Sequence, residues 1–426
     1  MQEYMALGVF AAVYVLIIGR RRFGVPIWAA MLIGAALMVG LQVTGIDAAF
    51  LAVNLEVIAF LFGMFSIVSA LERAGVLKAV AIRMLARAKT PAQLLMIFVV
   101  GMGVLAAFLV NDTIALLGIP LAVHVARHAG IKPAVLLLAL AFGITVGSVM
   151  TPIGNPQNLL IAIDSGIQFP FVTFLAYLSV PTVANLFVTY LILKAYFRKE
   201  LAQKLEAPAP EVSEGNGIAN PRQARLAIYI TIATLAGFVL SEVLHVLGVA
   251  EFGLATVAML GAAALYALSS DRTQLLRSVD YSVLVFFAGM FVVTSAMWQS
   301  GAISIITGWL PDPDPADRMQ SLGVITAASV ALSQVLSNVP FVALYDFVMI
   351  DDGFGGEHVS QWLMLAAMST VAGNLTILGA ASNVIIIEAA EARGVRAFSF
   401  FEFTKIGSVV TAANVAVYFA FIALLL

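Results

Sequence analysis

Apolar residues run in long blocks from one end of the chain to the other, separated by short polar stretches. Blocks near residues 3–18, 24–43 and 55–71 read as helices that cross a bilayer. An apolar pair follows at 91–128, broken by "NDT", then an interrupted segment at 133–165 and a helix near 170–195. A second set of blocks lies near 225–243, 250–268 and 281–298, with a broken pair at 318–350, an interrupted segment at 360–391 and a last helix at 405–425. Between the sets, residues 198–224 mix charge with proline and glycine and read as a flexible cytoplasmic linker. The pattern predicts an all-α polytopic membrane protein, divided into residues 1–197, the linker 198–224, and residues 225–426.

The two sets match each other. "GMFSIVSALERAG" from Gly63 and "GMFVVTSAMWQSG" from Gly289 share G-M-F-x3-S-A-x4-G, 226 residues apart. Asn111 of "VNDT" pairs with Asn338 of "LSNVP" at a separation of 227, and "TPIGNPQN" from Thr151 pairs with "TILGAASN" from Thr376 at 225. Three matches in order at nearly one spacing indicate an internal duplication.

Charge gives the repeats their hand. Basic residues cluster at Arg20 to Arg22, Arg73 to Lys89, His124 to Lys132 and Tyr196 to Lys204, whereas Asp47, Asp164, "PDPDPAD" and "DDGFGGEH" lie at the opposite ends of the blocks. The positive-inside rule makes the basic ends cytoplasmic and both termini external. Trp298, Trp309 and Trp362 then fall near outer ends and Trp28 near an inner one, as an interfacial belt requires. The Gly63 copy runs inward and the Gly289 copy outward, so the repeats are inverted, a common transporter architecture. The start "MQEYMALGVF" is acidic and lacks a basic n-region, which predicts that the first block is kept as a helix. Lys78 to Lys89 is expected to lie along the inner membrane surface.

Composition excludes more than it adds. With 62% hydrophobic residues, 11% charged and a net charge of −2, nothing points to nucleic acid as a partner; the bilayer is the expected one. Zero cysteines exclude disulfides and thiolate metal sites, and four histidines show no ligand spacing, so no cofactor or metal is expected beyond a coupling ion, H+ or Na+. There is no G-x4-G-K-[ST] motif and no nucleophile-base constellation, which leaves a transporter driven by an ion gradient or a partner, or a channel, rather than an enzyme.

The candidate chemistry sits at the breaks. The limbs 92–110 and 113–127 are flanked by basic residues on both sides. The second limb spans roughly 22 Å at 1.5 Å per residue, which fits a re-entrant hairpin with "NDT" at its tip. Two full spans would give the same charge parity. After "TPIGNPQN" only a short apolar stretch remains before Asp164, so this break falls within one crossing and lines a cavity rather than forming a surface turn. The expected site combines Asn111, Thr113, Thr151, Gly154, Asn155 and Asn158 with Ser337, Asn338, Asn374, Thr376, Gly379, Ser382 and Asn383. Asp112, an acid expected at membrane depth, reads as the proton or cation carrier, with capping of the second limb as the alternative. Asp346, Glu56 and Glu388 fall near predicted helix ends and read as interfacial.

These residues resemble the ion transporter superfamily along the whole chain, through "VNDTIALLGIP", "TPIGNPQN", "SNVP" and "GNLTILGAASNVIIIEAAEARG". The resemblance implies a prokaryotic inner-membrane protein of two inverted repeats, each with a hairpin and a discontinuous helix. Asn111-Asp112 at the first tip is similar to arsenite/antimonite efflux pumps, which implies proton-coupled efflux of a small inorganic solute such as arsenite or antimonite, arsenical resistance, and a cytoplasmic ATPase subunit as a partner. Divalent anion symporters resemble one another in Ser-Asn-Thr at both tips, which this chain lacks, so sodium-coupled uptake of inorganic or dicarboxylate anions is the alternative and an ion channel the second.

Overall fold

The computed structural model describes residues 2–202, 218, 220–250, 252–308 and 311–426. Its first half contains α1 (Gln2–Ile18), α2 (Ile27–Gly40), α3 (Leu55–Arg73), α4 (Val76–Leu85), α5 (Pro91–Leu109), α6 (Asn111–His128), α7 (Pro133–Met150), α8 (Pro156–Asp164) and α9 (Pro170–Tyr196). The second half contains α10 (Pro221–Val246), α11 (Leu254–Leu268), α12 (Tyr281–Gln299), α13 (Arg318–Leu336), α14 (Asn338–Asp351), α15 (Val359–Ala372), α16 (Ala381–Glu391) and α17 (Phe400–Leu425). Eight described helices are long and apolar enough to cross a membrane.

The linker expected at 198–224 falls mostly on residues 203–217 and 219, outside the described residues, as does Trp309. Its described ends are shorter than expected. Arg198–Leu201 forms a further helical turn, and α10 begins at Pro221, before the predicted boundary. The Asn220 side chain sets that start by accepting from the N–H groups of Arg222 and Gln223, with proline at the first helical position. On the amphipathic segment, α4 buries Leu77, Ala81 and Leu85 and leaves Lys78 and Arg83 exposed.

Crossed packing makes the inverted duplication visible. Helix α2 lies against α12, and its counterpart α11 lies against α3, the counterpart of α12. The two glycines of the shared G-M-F motif sit at these crossings, Gly63 on Ala258 and Gly289 on Met31, where any side chain would collide with backbone. The last helices of the repeats, α9 and α17, also pack together, and buried polar pairs tie them: Thr182 with Tyr418 at 2.7 Å, and Asn185 donating to the Asn414 carbonyl at 3.2 Å.

Inside each repeat, two helices turn at a tip (α5 to α6, α13 to α14) beside a helix that stops and restarts (α7 to α8, α15 to α16). Helix α7 approaches α5 so closely that a Cβ on Gly147 would stand 2.0 Å from the Gly103 carbonyl oxygen. In the same stretch α5 widens into a π-turn at Ile97–Gly101. Glu242 of α10 accepts the amides of Phe171 at 2.7 Å and Val172 at 3.0 Å, satisfying the first turn of α9 from the other half of the molecule. Arg318 does the reverse service on α17, donating to the carbonyls of Ile422 at 2.8 Å and Ala423 at 3.2 Å.

Candidate functional site

Both hairpins turn at a residue that is not glycine yet has positive φ: Val110 at 64° and Ser337 at 63°. For a β-branched valine this backbone is unfavourable by about 1–3 kcal/mol, so neighbours must hold it. At the first tip the Asn111 N–H donates to the Gly154 carbonyl at 2.9 Å, joining tip to break. At the second, Ser337 Oγ reaches the Gly379 carbonyl at 3.5 Å, and Tyr14 of α1 donates its hydroxyl to the Leu336 carbonyl at 2.6 Å.

The first break is tied down. Asn158, fully buried, donates to the carbonyls of Ser148, Val149 and Thr151, each at 3.2 Å, and accepts from Thr370 Oγ1 at 3.3 Å. Asn155 caps α8 by accepting the Asn158 N–H at 2.9 Å, while its amide nitrogen donates to Ser148 Oγ at 3.0 Å and Thr370 Oγ1 at 3.3 Å. Thr151 donates to the Ala107 carbonyl, and Gly154 leaves no room for a Cβ, which would lie 2.2 Å from the Ser148 oxygen. Nearly every polar group of "TPIGNPQN" thus serves the loop itself.

The second break is looser. Asn383 donates to the Gly373 carbonyl at 2.7 Å, as Asn158 does to Ser148, but its Oδ1 has no partner among the described residues. The same holds for Asn338 Oδ1, Ser382 Oγ and both side-chain heteroatoms of Asn374, all in buried residues. Thr376 donates to Gln334 Oε1 at 2.8 Å. Buried amides and hydroxyls left open in this way need water or a ligand.

A cavity of about 460 Å³ lies between the two tips, the first two helices α1 and α2, the start of α12, and α16. Of the expected residues it gathers Asn111, Asp112, Ser337, Asn338 and Ser382. Thr113, Thr151, Gly154, Asn155, Asn158, Asn374, Thr376, Gly379 and Asn383 do not line it. Sequence reasoning missed Tyr14, Arg20, Trp28, Gln157, Asp280, Gln334 and Glu388 on its wall. Arg20 and Glu388 pair across it at 3.1 Å, the former largely buried and the latter half-exposed. Glu388, expected at the interface, is therefore an ion-pair partner at the cavity. Asp346, also expected there, is 4% exposed, because α14 continues past it and packs against α8, α12, α13 and α15. Glu56 is exposed at the start of α3.

Paired hairpins and interrupted helices, inverted about a shared cavity, define a membrane transporter rather than an enzyme. The chain belongs to the citrate transporter family, whose model matches residues 14–355. It is 29% identical over 422 residues to an uncharacterised transporter of Mycobacterium tuberculosis, with 96% of each chain covered. It is 27% identical over 448 residues to the silicon efflux transporter LSI3 of rice, Oryza sativa subsp. japonica, covering 91% of this chain and 88% of that one. Among solved structures it is similar to the Alcanivorax borkumensis YdaH transporter, with a TM-score of 0.48 and 13% identity over 92% of this chain and 86% of that chain.

Proposed function

We propose that the protein exports a small neutral hydroxide of the arsenite, antimonite or silicic acid type in exchange for protons, across a prokaryotic inner membrane, with the basic ends cytoplasmic and both described ends of the chain external. The observation that carries this reading is the charge of the cavity wall: three carboxylates, Asp112, Asp280 and Glu388, against the single guanidinium of Arg20. Such a wall repels a free citrate anion. Uncharged hydroxides meet no such barrier and can be held by the amides and hydroxyls of Asn111, Ser337, Asn338 and Ser382. Arsenite is a trihydroxide, and silicon, for which the rice relative is named, dissolves as a neutral tetrahydroxide.

Asp112, half-buried at the tip and on the cavity wall, is assigned the exchanging proton. The test is flux into proteoliposomes under an imposed pH gradient, with arsenite, germanic acid and citrate compared, the last with and without magnesium and sodium. Proton-driven movement of the hydroxides but not of citrate is expected. Citrate uptake with no hydroxide flux overturns the reading.

One observation favours a second reading, sodium-coupled anion symport. Asn338 and Asn383 both turn their amide nitrogens toward Gly373, and their open Oδ1 atoms, with the Ser382 hydroxyl, are neutral oxygens of the kind that suit a hard monovalent cation. Sodium-dependent uptake in the same assay would select it.

A further inference from the structure

Asp346 lies eight residues past the tip asparagine Asn338 on α14. It is among the most buried acids of the chain, and neither carboxylate oxygen has a hydrogen-bond partner among the described residues. The matching position of the first repeat, eight residues past Asn111, is Ile119, fully buried in apolar packing. The fold therefore has an apolar solution for this place, and a carboxyl that makes no bond adds nothing to stability. Its presence calls for another explanation.

Helix α14 packs on α8, and α8 ends on the half-buried acid Asp164. Asn54 donates to Asp164 Oδ1 at 3.3 Å and accepts the Glu56 N–H at 3.1 Å, which joins Asp164 to the exposed start of α3. Burial rises from exposed Glu56 through half-buried Asp164 to buried Asp346. The other elements against α14 supply no compensating cation among the described residues. Helix α15 contains no titratable group, and α12 contains only Tyr281 at its opposite end. Arg318 of α13 is engaged with Ser360 and the end of α17, and His358, just before α15, accepts the Gly355 amide at 3.1 Å. On α14 itself and just beyond it stand Tyr345, Asp351 and Asp352, none of them a cation. Two desolvated carboxylates without a counter-charge do not both ionise readily; one shared proton relieves both.

We propose that Asp346 and Asp164 form a proton-binding pair reached from the acidic face through Glu56. The pair takes its proton from water at that face. The ligand is a proton rather than a divalent metal, since no metal-binding group of three acidic or histidine side chains occurs among the described residues. Only the use of this proton in transport rests on the proton-driven reading above; its binding does not.

Infrared titration of the purified protein in liposomes of neutral lipid tests the pair through the C=O stretch of a protonated carboxyl. The wild-type minus Asp346→Asn difference spectrum at neutral pH is expected to show that band, and Asp164→Asn to lower its titration midpoint by about one pH unit or more. Asp346→Asn breaks no hydrogen bond and should leave the melting temperature unchanged. Asp346→Ile, which copies the first repeat, should fold at least as well and also lack the band. Spectra that coincide for wild type and either Asp346 variant at every pH overturn the proposal, and so does a midpoint unmoved by Asp164→Asn. If the band behaves as expected while the wild type shows no arsenite flux under a pH gradient, the proton-driven reading falls and the site stands.

Discussion

Gly63 meets Ala258 backbone to backbone: a methyl group on Gly63 would stand 2.7 Å from the Ala258 carbonyl carbon. The same crossing recurs between Gly289 and Met31, where the distance would be 3.0 Å. Each pair joins one repeat to the other, and neither helix can retreat without opening the contact behind it. Gly63→Leu and Gly289→Leu should each lower stability by about 1–3 kcal/mol, with the larger loss at Gly63. Gly8→Leu, where nothing lies within 4 Å, should be silent. Melting temperatures in detergent separate the three.

Asn158 and Asn383 occupy matching places but do different work. Removing the Asn158 amide takes a donor from three buried carbonyls and leaves that of Val149 without one, while Ser148 keeps Asn155 and Thr151 keeps the Gly154 N–H, so Asn158→Ala should cost about 1–3 kcal/mol and impair folding. Asn383→Ala strands one carbonyl and removes an open oxygen, and should lower transport far more than stability. Thermal melts and flux assays on the same preparations check the contrast. Equal effects on both measures would refute the division between a structural break and a binding break.

The Arg20–Glu388 pair bridges the turn after α1 and the end of α16, on either side of the cavity. Because Glu388 is half-exposed, breaking the pair should change stability by less than about 1 kcal/mol. Its effect should be on rate, since the pair links elements that separate if the cavity opens. Arg20→Glu should alter flux at least several-fold, and Arg20→Glu with Glu388→Arg should restore it, most clearly at low salt.

Asp112→Asn keeps the shape of the first tip and removes its charge. Solute exchange at equal pH should survive in this variant, and flux driven by a pH gradient should vanish. If gradient-driven flux persists, Asp112 does not carry the exchanging proton.

The spans, their order and the duplication were legible in the sequence because long apolar blocks and repeated small-residue motifs leave direct marks. The two breaks were legible for the same reason, since "TPIGNPQN" and "TILGAASN" interrupt apolar runs. The tips were harder: Val110 and Ser337 adopt positive φ with no glycine to announce it. The cavity wall was hidden because Arg20, Asp280 and Glu388 come from three distant places and meet only through the crossing of the halves. Asp346 looked interfacial because helix ends are judged by length, and length says nothing of the neighbours that cover a side chain. The inequality of the breaks was also out of reach, since an asparagine reads the same whether its oxygen is bonded or open.

The bond from the Asn111 N–H to the Gly154 carbonyl is made wholly of main-chain atoms. Alanine scanning therefore passes over it, since every substitution at Asn111 except proline leaves the donor in place. A tie of this kind lets side chains at the first tip diverge between relatives with different cargo while the tip and break still travel as one body.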